Sequence, residues 1–259
     1  MKLNIQLKND ALEALRNDKW GISIGGFLIY IIITQAIGLI PFVGAIAGFF
    51  LSGPFTLGLY SFYLKIAREE HVEIEDLFIA FKNKNQFWAS FIAFLLIVAI
   101  IFPTVLVSFL IWIFLIIGKE SLEKIIDSIT SFPEFSNLFN IQSNLQLYEP
   151  DVMALPTNDF NWLVIVLGFI LIVLIPFIYI SLGISQTFFT IANNKNISGL
   201  DALKVSWRLM KNKKLKLLLL QLSFIGWIVL SILTLFIGFI FLAPYQYTTY
   251  AKFYDNINE

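Results

Sequence analysis

The chain of 259 residues contains no cysteine and a single histidine, His71. Without cysteine there are no disulfides, thiolate metal sites or thiol nucleophiles. One histidine also excludes multi-histidine zinc sites and proton relays between histidines. No phosphate-binding glycine loop, nucleophile elbow or HExxH helix occurs in the sequence. We therefore predict that the protein is not an enzyme and that it has no catalytic residue, no metal site and no cofactor.

Charge is scarce as well, because only 14% of the residues are charged, where a soluble domain has about 25%. Eighteen Lys and Arg balance eighteen Asp and Glu, so no net field attracts nucleic acid, and we predict no nucleic-acid partner. Hydrophobic residues make up 58% of the chain. This composition predicts an integral membrane protein.

Four long stretches contain no Asp, Glu, Lys, Arg or His, and they cover residues 20–64, 87–118, 160–194 and 217–251. A membrane-crossing helix needs about 20 apolar residues. The first stretch is long enough for two spans, and the second and third hold one each. The fourth fits either two spans or one long tilted helix.

A set of anchor residues recurs three times in the same order, which indicates an internal repeat. Each repeat has an Asp before the first apolar run, then a Gly-Phe pair, then a Pro that begins the second run. The repeats cover about residues 9–70, 73–194 and 198–254, and a further set of matches between the first two has a constant offset of 125. The anchors are Asp10, Gly48 and Pro54, then Asp76, Gly168 and Pro176, then Asp201, Gly238 and Pro244.

The repeat predicts one all-α membrane domain over residues 1–259, with six transmembrane helices arranged as three parallel helical hairpins. A short cytoplasmic amphipathic helix precedes each hairpin. Asp10 and Glu13 have the spacing of a capping box. In the third short helix, Leu200, Leu203, Trp207 and Met210 form an apolar stripe, with Trp207 suited to the level of the lipid headgroups. Pro54, Pro176 and Pro244 are predicted to kink the second helix of each hairpin.

The positive charges predict the orientation. With six spans, sixteen Lys and Arg lie on the side of both termini, and only Lys119 and Lys124 lie on the other side. Positive residues accumulate on the cytoplasmic side. Both termini are therefore predicted to be cytoplasmic in a multi-pass protein of the inner membrane.

Three parts of the sequence are candidate binding regions. A juxtamembrane basic cluster favours contact with anionic lipid, although charges of this kind also set topology. Uncharged polar residues in the spans fit either a polar vestibule or hydrogen bonds between packed helices. The basic cluster comprises Lys204, Arg208, Lys211, Lys213, Lys214 and Lys216, and the vestibule comprises Ser61, Ser185, Gln186, Gln221, Gln246 and Thr249.

The third candidate is the extracytoplasmic loop over residues 119–161, which carries two positive and seven negative residues. Apolar residues recur at helical spacing after Ser121, which predicts an amphipathic helix on the outer surface. Such an acidic loop fits docking to another membrane or extracytoplasmic protein, or a simple cap over the helix ends.

The C-terminal third resembles a family of uncharacterised bacterial polytopic membrane proteins, a domain of unknown function that is similar to the membrane domain of some glycerophosphodiester phosphodiesterases. The resemblance implies a polytopic architecture and no reaction. The family's pattern continues after Leu233-Thr234 with a Gly, where this chain has Leu235 or Phe236. The residues that carry the resemblance are Trp207 and the lysines after it, Phe224-Ile225-Gly226-Trp227, Leu233-Thr234, Pro244-Tyr245 and Phe253-Tyr254.

Taken together, these patterns predict a non-catalytic membrane protein that acts as an accessory or scaffold subunit and binds lipid or a partner membrane complex. The alternative is a small uncoupled transporter or channel that uses the polar vestibule. A proton-coupled transporter is disfavoured, because no ionisable residue lies in the predicted spans.

Overall fold

A computed structural model describes residues 2–16, 18–41, 43–130 and 165–258, and every regular element in these ranges is helical. Five helices are long and apolar enough to cross a membrane, which confirms the predicted all-α class and indicates a membrane-embedded protein. They are Lys19–Gly38, Gly44–Ala67, Lys84–Ile116, Ile165–Asn193 and Lys214–Leu233.

The chain forms two compact units, of which the first comprises residues 1–100 and 179–259 and the second residues 101–178. The helices before the loop region are α1 (Asn4–Arg16), α2 (Lys19–Gly38), α3 (Val43–Ala67), a 3-10 helix (Ile74–Phe78), α4 (Ile79–Lys82) and α5 (Lys84–Thr130). After it come a π-helical segment (Ile170–Leu174), α6 (Ile175–Ile184), α7 (Thr187–Asn193), α8 (Gly199–Leu209), α9 (Lys214–Leu222), α10 (Ile225–Leu233) and α11 (Gly238–Asn258).

Helix α3 is the central helix of the first unit. Buried residues make up 44% of its most apolar window, against 6% for Lys84–Ile116 and 11% for Ile165–Asn193. Helices α2, α7 and α11 all pack against it. The buried Tyr63 hydroxyl donates a hydrogen bond of 2.9 Å to the carbonyl of Ser23 on α2. Most large side chains of the other spans face outward instead, as expected of surfaces that contact lipid.

The predicted capping box at Asp10 is wrong. Helix α1 already begins at Asn4, so Asp10 lies inside the helix, where its carboxylate pairs with the ammonium of Lys2 at 2.7 Å. The apolar face of α1 is buried as an amphipathic helix requires. That face consists of Leu7, Ala11, Ala14 and Leu15.

The Asp anchors of the second and third repeats lie at capped helix starts, with Asp76 accepting at one and Ser198 accepting at the other. The backbone N–H of Glu73 donates to Asp76 Oδ2 at 3.0 Å, and the N–H of Asp201 donates to Ser198 Oγ at 3.1 Å. Each Asp is the third residue of its helix, where a side chain can satisfy or complement a free donor at the helix start. Asp10 differs because it is the seventh residue of α1, about one turn further into its helix than the other two.

The prolines lie in helices. Helices α3 and α11 continue through Pro54 and Pro244, and α5 continues through Pro103, which the repeat did not single out. Pro176 directly follows the π-helical segment. A π-helical turn accommodates a proline ring that would clash with the carbonyl four residues earlier in a regular α-helix. The kinks themselves stay a prediction.

Helix α5 has 47 residues, more than twice the about 20 that one crossing needs. Residues 119–130, the first part of the predicted loop 119–161, continue this helix. The helix predicted after Ser121 is present as far as Thr130, and it is the continuation of α5. Residues 131–161 lie outside the described residues.

The two ends of the described chain lie side by side. The backbone N–H of Lys2 donates to Asn256 Oδ1 at 3.1 Å, and Lys213 Nζ donates to the carbonyl of Ile257 at 3.0 Å. The start of α9 is thus adjacent to the end of α11. At the other end, Gly238 packs against Ser231, so that α10 and α11 run side by side in opposite directions.

The turn between α10 and α11 has two residues in the left-handed region, Leu235 with φ 51° and Phe236 with φ 69°. A left-handed conformation costs a non-glycine residue about 1–2 kcal/mol, because Cβ crowds the following carbonyl. The turn therefore places two bulky apolar residues in a conformation that Gly adopts more easily.

We expect Leu235→Gly to raise the free energy of unfolding by about 1 kcal/mol, because it relieves the left-handed backbone. Leu235 is 82% exposed, so little packing is lost. The matched control is Leu233→Gly at the end of α10, which lowers stability through reduced helix propensity. Thermal unfolding in detergent measures both changes, and a loss of stability in Leu235→Gly would contradict the expectation.

Candidate functional site

A break between α6 and α7 provides the attachment point for α8. Ser185 and Gln186 form a turn between the two helices, which frees backbone groups from the helical hydrogen-bond pattern. The buried Ser206 hydroxyl of α8 donates to the carbonyl of Gly183 at 3.0 Å and accepts from the N–H of Gln186 at 3.1 Å. Because unpaired buried backbone groups are costly, this hydroxyl anchors α8 on the break.

Gly183 lets the ring of Trp207 approach the same place. A Cβ at position 183 would overlap the six-membered part of the indole. The buried face of α8 is therefore made of small residues and one Met, and it comprises Gly199, Ala202, Ser206 and Met210. Of the predicted stripe, Met210 is fully buried and Leu203 is half-buried, whereas Leu200 and Trp207 are 46% and 40% exposed. Small side chains permit the close approach that Leu and Trp would prevent.

The chain then turns back over Trp207. Asn212 has φ 62°, a left-handed conformation that Asn tolerates better than most residues, and α9 starts at Lys214. The ammonium of Lys214 lies 3.3 Å from the ring centroid of Tyr179 and 3.7 Å from that of Trp207. The two rings are 6.0 Å apart and nearly perpendicular. The faces of both rings thus attract one cation.

Lys214 Nζ is buried and donates no hydrogen bond to any of the described residues. An ammonium has three donors, and a buried charge without hydrogen bonds costs free energy. The cation–π contacts offset part of this cost, by about 2 kcal/mol for a desolvated pair. The donors of Lys214 are therefore left without an acceptor among the described residues.

An open cavity of about 740 Å³ lies next to these rings. Its lining contains four cationic side chains and two aromatic rings, and among the described residues that line it none is acidic. A carboxylate near it is that of Asp201, which lies 3.8 Å from Lys204 Nζ at the protein surface. The lining residues are Tyr179, Lys204, Trp207, Arg208, Lys211, Asn212, Lys214 and Leu215. We call this the basic-aromatic cavity.

The structure divides the predicted basic cluster into two groups. Lys204, Arg208, Lys211 and Lys214 line the basic-aromatic cavity. The other two bind backbone carbonyls near the chain ends, Lys213 that of Ile257 and Lys216 that of Lys2. These two lysines connect the start of α9 to the two ends of the chain and are not lining residues.

The six vestibule residues do not share a cavity among the cavities described here. Ser185 and Gln186 meet at the α6–α7 break, where Gln186 Nε2 donates to Ser185 Oγ at 3.0 Å. Thr249 donates to the carbonyl of Tyr245 in its own helix at 2.7 Å. Ser61 is buried in α3, while Gln221 and Gln246 lie on α9 and α11 and are half-buried. Local hydrogen bonds thus account for several of these polar groups.

A second charged cluster joins the ends of three helices. Arg68 donates to both carboxylate oxygens of Asp255, with Nη2 at 2.6 Å from Oδ1 and Nε at 3.1 Å from Oδ2. It also donates to Asn193 Oδ1 at 2.9 Å. The hydrogen bond to Asp255 raises the pKa of Arg68 above its ordinary value. Because these three side chains are hydrogen-bonded to one another, we interpret the cluster as a link between helix ends and not as a ligand site.

No group of three or more His, Asp and Glu side chains that could hold a metal ion occurs within the part of the chain that the structure describes. A model of one protein family matches residues 1–259, and the description of that family is "Protein of unknown function (DUF975)". The chain belongs to the DUF975 family. No curated protein matches the chain, and no solved structure does.

The DUF975 match confirms the predicted membership of an uncharacterised family, and it now extends over the whole chain. The similarity to the membrane domain of glycerophosphodiester phosphodiesterases stays a prediction. Sequence reasoning missed Tyr179, Ser206 and Asn212 as parts of the site. Tyr179 and Gly183 are four residues apart on α6, which places them on one helical face, but nothing local in the sequence indicates that α8 packs there.

We expect Gly183→Ala to lower the free energy of unfolding by about 1–3 kcal/mol, because the added methyl forces Trp207 away from Lys214. Gly226→Ala is the control, since a Cβ there meets open space and alanine favours the helix. Thermal unfolding in detergent, followed by tryptophan emission, measures both. Equal stability and emission in the two variants would contradict the packing of α8 described above.

Proposed function

We propose that this DUF975 protein is a non-catalytic, multi-pass protein of the bacterial inner membrane that holds anionic lipid and acts as an accessory or scaffold subunit. The observation that carries this proposal is the basic-aromatic cavity, in which four cations converge with two aromatic rings. Lys and Arg near a membrane surface attract anionic headgroups. Trp and Tyr favour the depth of the headgroups. Lipid is therefore the ligand that best matches both parts of the lining.

Six spans are proposed, with α11 as the sixth. Lys2 and Asn256 are hydrogen-bonded, and an odd number of crossings would place these two residues on opposite sides of the membrane. Five helices are apolar enough to cross, so parity favours one more crossing. Helix α11 runs back along α10 and ends beside Lys213, which supports α11 as that crossing.

The contacts of two glycines support the proposed repeat. Gly58 packs against the Leu77 carbonyl in the short helix of the second repeat, and Gly183 packs against Trp207 in the short helix of the third. These glycines are 125 residues apart in the sequence, as are Arg68 and Asn193, which bind each other. The two glycines at equivalent positions thus each contact the short helix of the next repeat. We propose three parallel hairpins on this ground.

The cytoplasmic side is proposed for both termini and for the cavity. The distribution of sixteen positive residues against two supports it, since the lining lysines belong to the larger group. The acidic loop 119–161 is proposed to contact a partner protein on the opposite side. The protein would then connect the lipid on one side with a partner on the other.

The alternative of a small uncoupled transporter has less support. Thr248 and Thr249 direct their hydroxyls to carbonyls of their own helix, and Ser185 does the same. A hydroxyl that already donates its proton to a carbonyl has no free donor to offer a solute. We propose that these residues stabilise helix packing.

Cysteine labelling tests the topology, and the chain has no native cysteine to give background. We expect Asn258→Cys to react with a membrane-impermeant maleimide only after the membrane is opened, because the C-terminus is cytoplasmic. Ser136→Cys in the acidic loop is the control and reacts in intact cells. Labelling of Asn258→Cys in intact cells would refute the six-span arrangement.

Lipid binding tests the function. In zwitterionic nanodiscs we expect Lys211→Gln to weaken the binding of phosphatidylglycerol about fivefold, which corresponds to about 1 kcal/mol for one charge. Lys195→Gln is the matched control, because Lys195 belongs to the same predicted cytoplasmic loop and does not line the cavity. Native mass spectrometry measures the bound lipid. An equal effect of both substitutions would show that only the overall charge matters.

A further inference from the structure

We infer that the basic-aromatic cavity takes a lipid whose phosphate headgroup carries at least two negative charges, with the acyl chain on an apolar ridge of α9. This inference rests on the proposed function, and it adds the class of headgroup and the path of the chain. A phosphomonoester or diphosphate lipid has such a headgroup, whereas a phosphodiester headgroup such as phosphatidylglycerol carries one charge.

Charge balance is the first argument. Four cations line the cavity, and Asp201 offsets one of them through its contact with Lys204. Arg208 and Lys211 form no ion pair with any described residue. One phosphodiester charge would leave most of this positive charge uncompensated. A phosphomonoester carries about two charges near neutral pH, which matches the lining more closely.

The donors are the second argument. Arg208 presents a planar fork that can bind two phosphate oxygens at once. Lys214 Nζ is a further donor without a hydrogen-bond acceptor among the described residues. A phosphodiester offers two terminal oxygens, and Arg208 alone can occupy both. A third terminal oxygen, as in a phosphomonoester, adds acceptor sites and a second charge for a lysine at the same phosphate.

The ridge of α9 indicates an amphiphile rather than free phosphate. Leu215, Leu219 and Leu222 are 67%, 52% and 47% exposed and lie at positions i, i+4 and i+7, on one face of the helix. Leu215 also lines the cavity. A continuous apolar strip thus leads from the cations into the candidate span Lys214–Leu233. Free phosphate would make no use of this strip.

The volume fits the same class of ligand. A cavity of about 740 Å³ lies within the range of about 300–1,000 Å³ that is usual for small-molecule sites. It is much larger than one phosphate group. The remaining space can accept the glycerol and the first part of an acyl chain, next to Tyr179 and Trp207.

The test compares lipids that share the same acyl chains and differ in the headgroup. The full-length protein in zwitterionic nanodiscs is titrated with phosphatidic acid and with phosphatidylglycerol, and binding is measured by native mass spectrometry. We expect phosphatidic acid to bind at least about tenfold more tightly, as one further charge-assisted hydrogen bond would provide. In Arg208→Gln the preference falls to about twofold or less, whereas Lys195→Gln keeps it.

A second pair of measurements distinguishes lipid from soluble phosphate. Leu219→Ser is expected to weaken phosphatidic acid binding about fivefold by interrupting the ridge. The matched control is Leu230→Ser on α10, which is exposed to the same extent and lies on a different helix from the ridge. Inorganic phosphate and glycerol 3-phosphate should compete weakly, because neither has a chain to place on the ridge.

Each outcome has a distinct meaning. If both lipids bind equally and both depend on Arg208, the charge inference is overturned and the proposed function stands. If neither lipid depends on Arg208, both are overturned. If glycerol 3-phosphate competes as well as phosphatidic acid does and Leu219→Ser has no effect, the ligand is a soluble phosphate and the lipid assignment is overturned.

Discussion

The position of the site depends on one buried hydroxyl group. Where α6 gives way to α7, a carbonyl and an N–H leave the helical pattern, and Ser206 binds both. In apolar surroundings no water replaces such a partner, so an interrupted helix requires a polar group from a neighbour. This requirement fixes α8 against the break. The cations and rings of the cavity follow from that attachment.

Two glycines are explained by the close approach of a neighbouring helix. Gly183 admits the Trp207 ring and Gly58 admits the Leu77 carbonyl, and in both cases a short helix packs on the preceding long one. Small residues allow helices to approach within a membrane, where apolar side chains gain nothing by leaving lipid. Large side chains such as Leu200 therefore remain on the outside. The same rule leaves Leu215 and Leu219 exposed on α9 and available as a ridge.

Much of the architecture can be predicted from hydropathy and charge, since all five apolar helices lie in stretches that lack ionisable residues, apart from their ends. The third short helix was also predictable, because Ser198 and Asp201 form a local cap. The capping box predicted at Asp10 is wrong, because α1 starts earlier than its only acidic pair suggests. The helix predicted after Ser121 is present as the end of α5. Of the stripe predicted on α8, Leu200 and Trp207 are exposed and Met210 is fully buried.

The sequence by itself determined the class of protein and the side chains that are available, because charge is excluded from long apolar segments by the cost of moving it out of water. The sequence also identified all six residues of the basic cluster. Only the tertiary structure decided that four of them share a cavity with Tyr179 while Lys213 and Lys216 hold the chain ends. The division of the basic cluster depends on contacts between residues that are distant in sequence, at the α6–α7 break and at Asn212. The periodicity of side chains within one helix cannot predict such contacts.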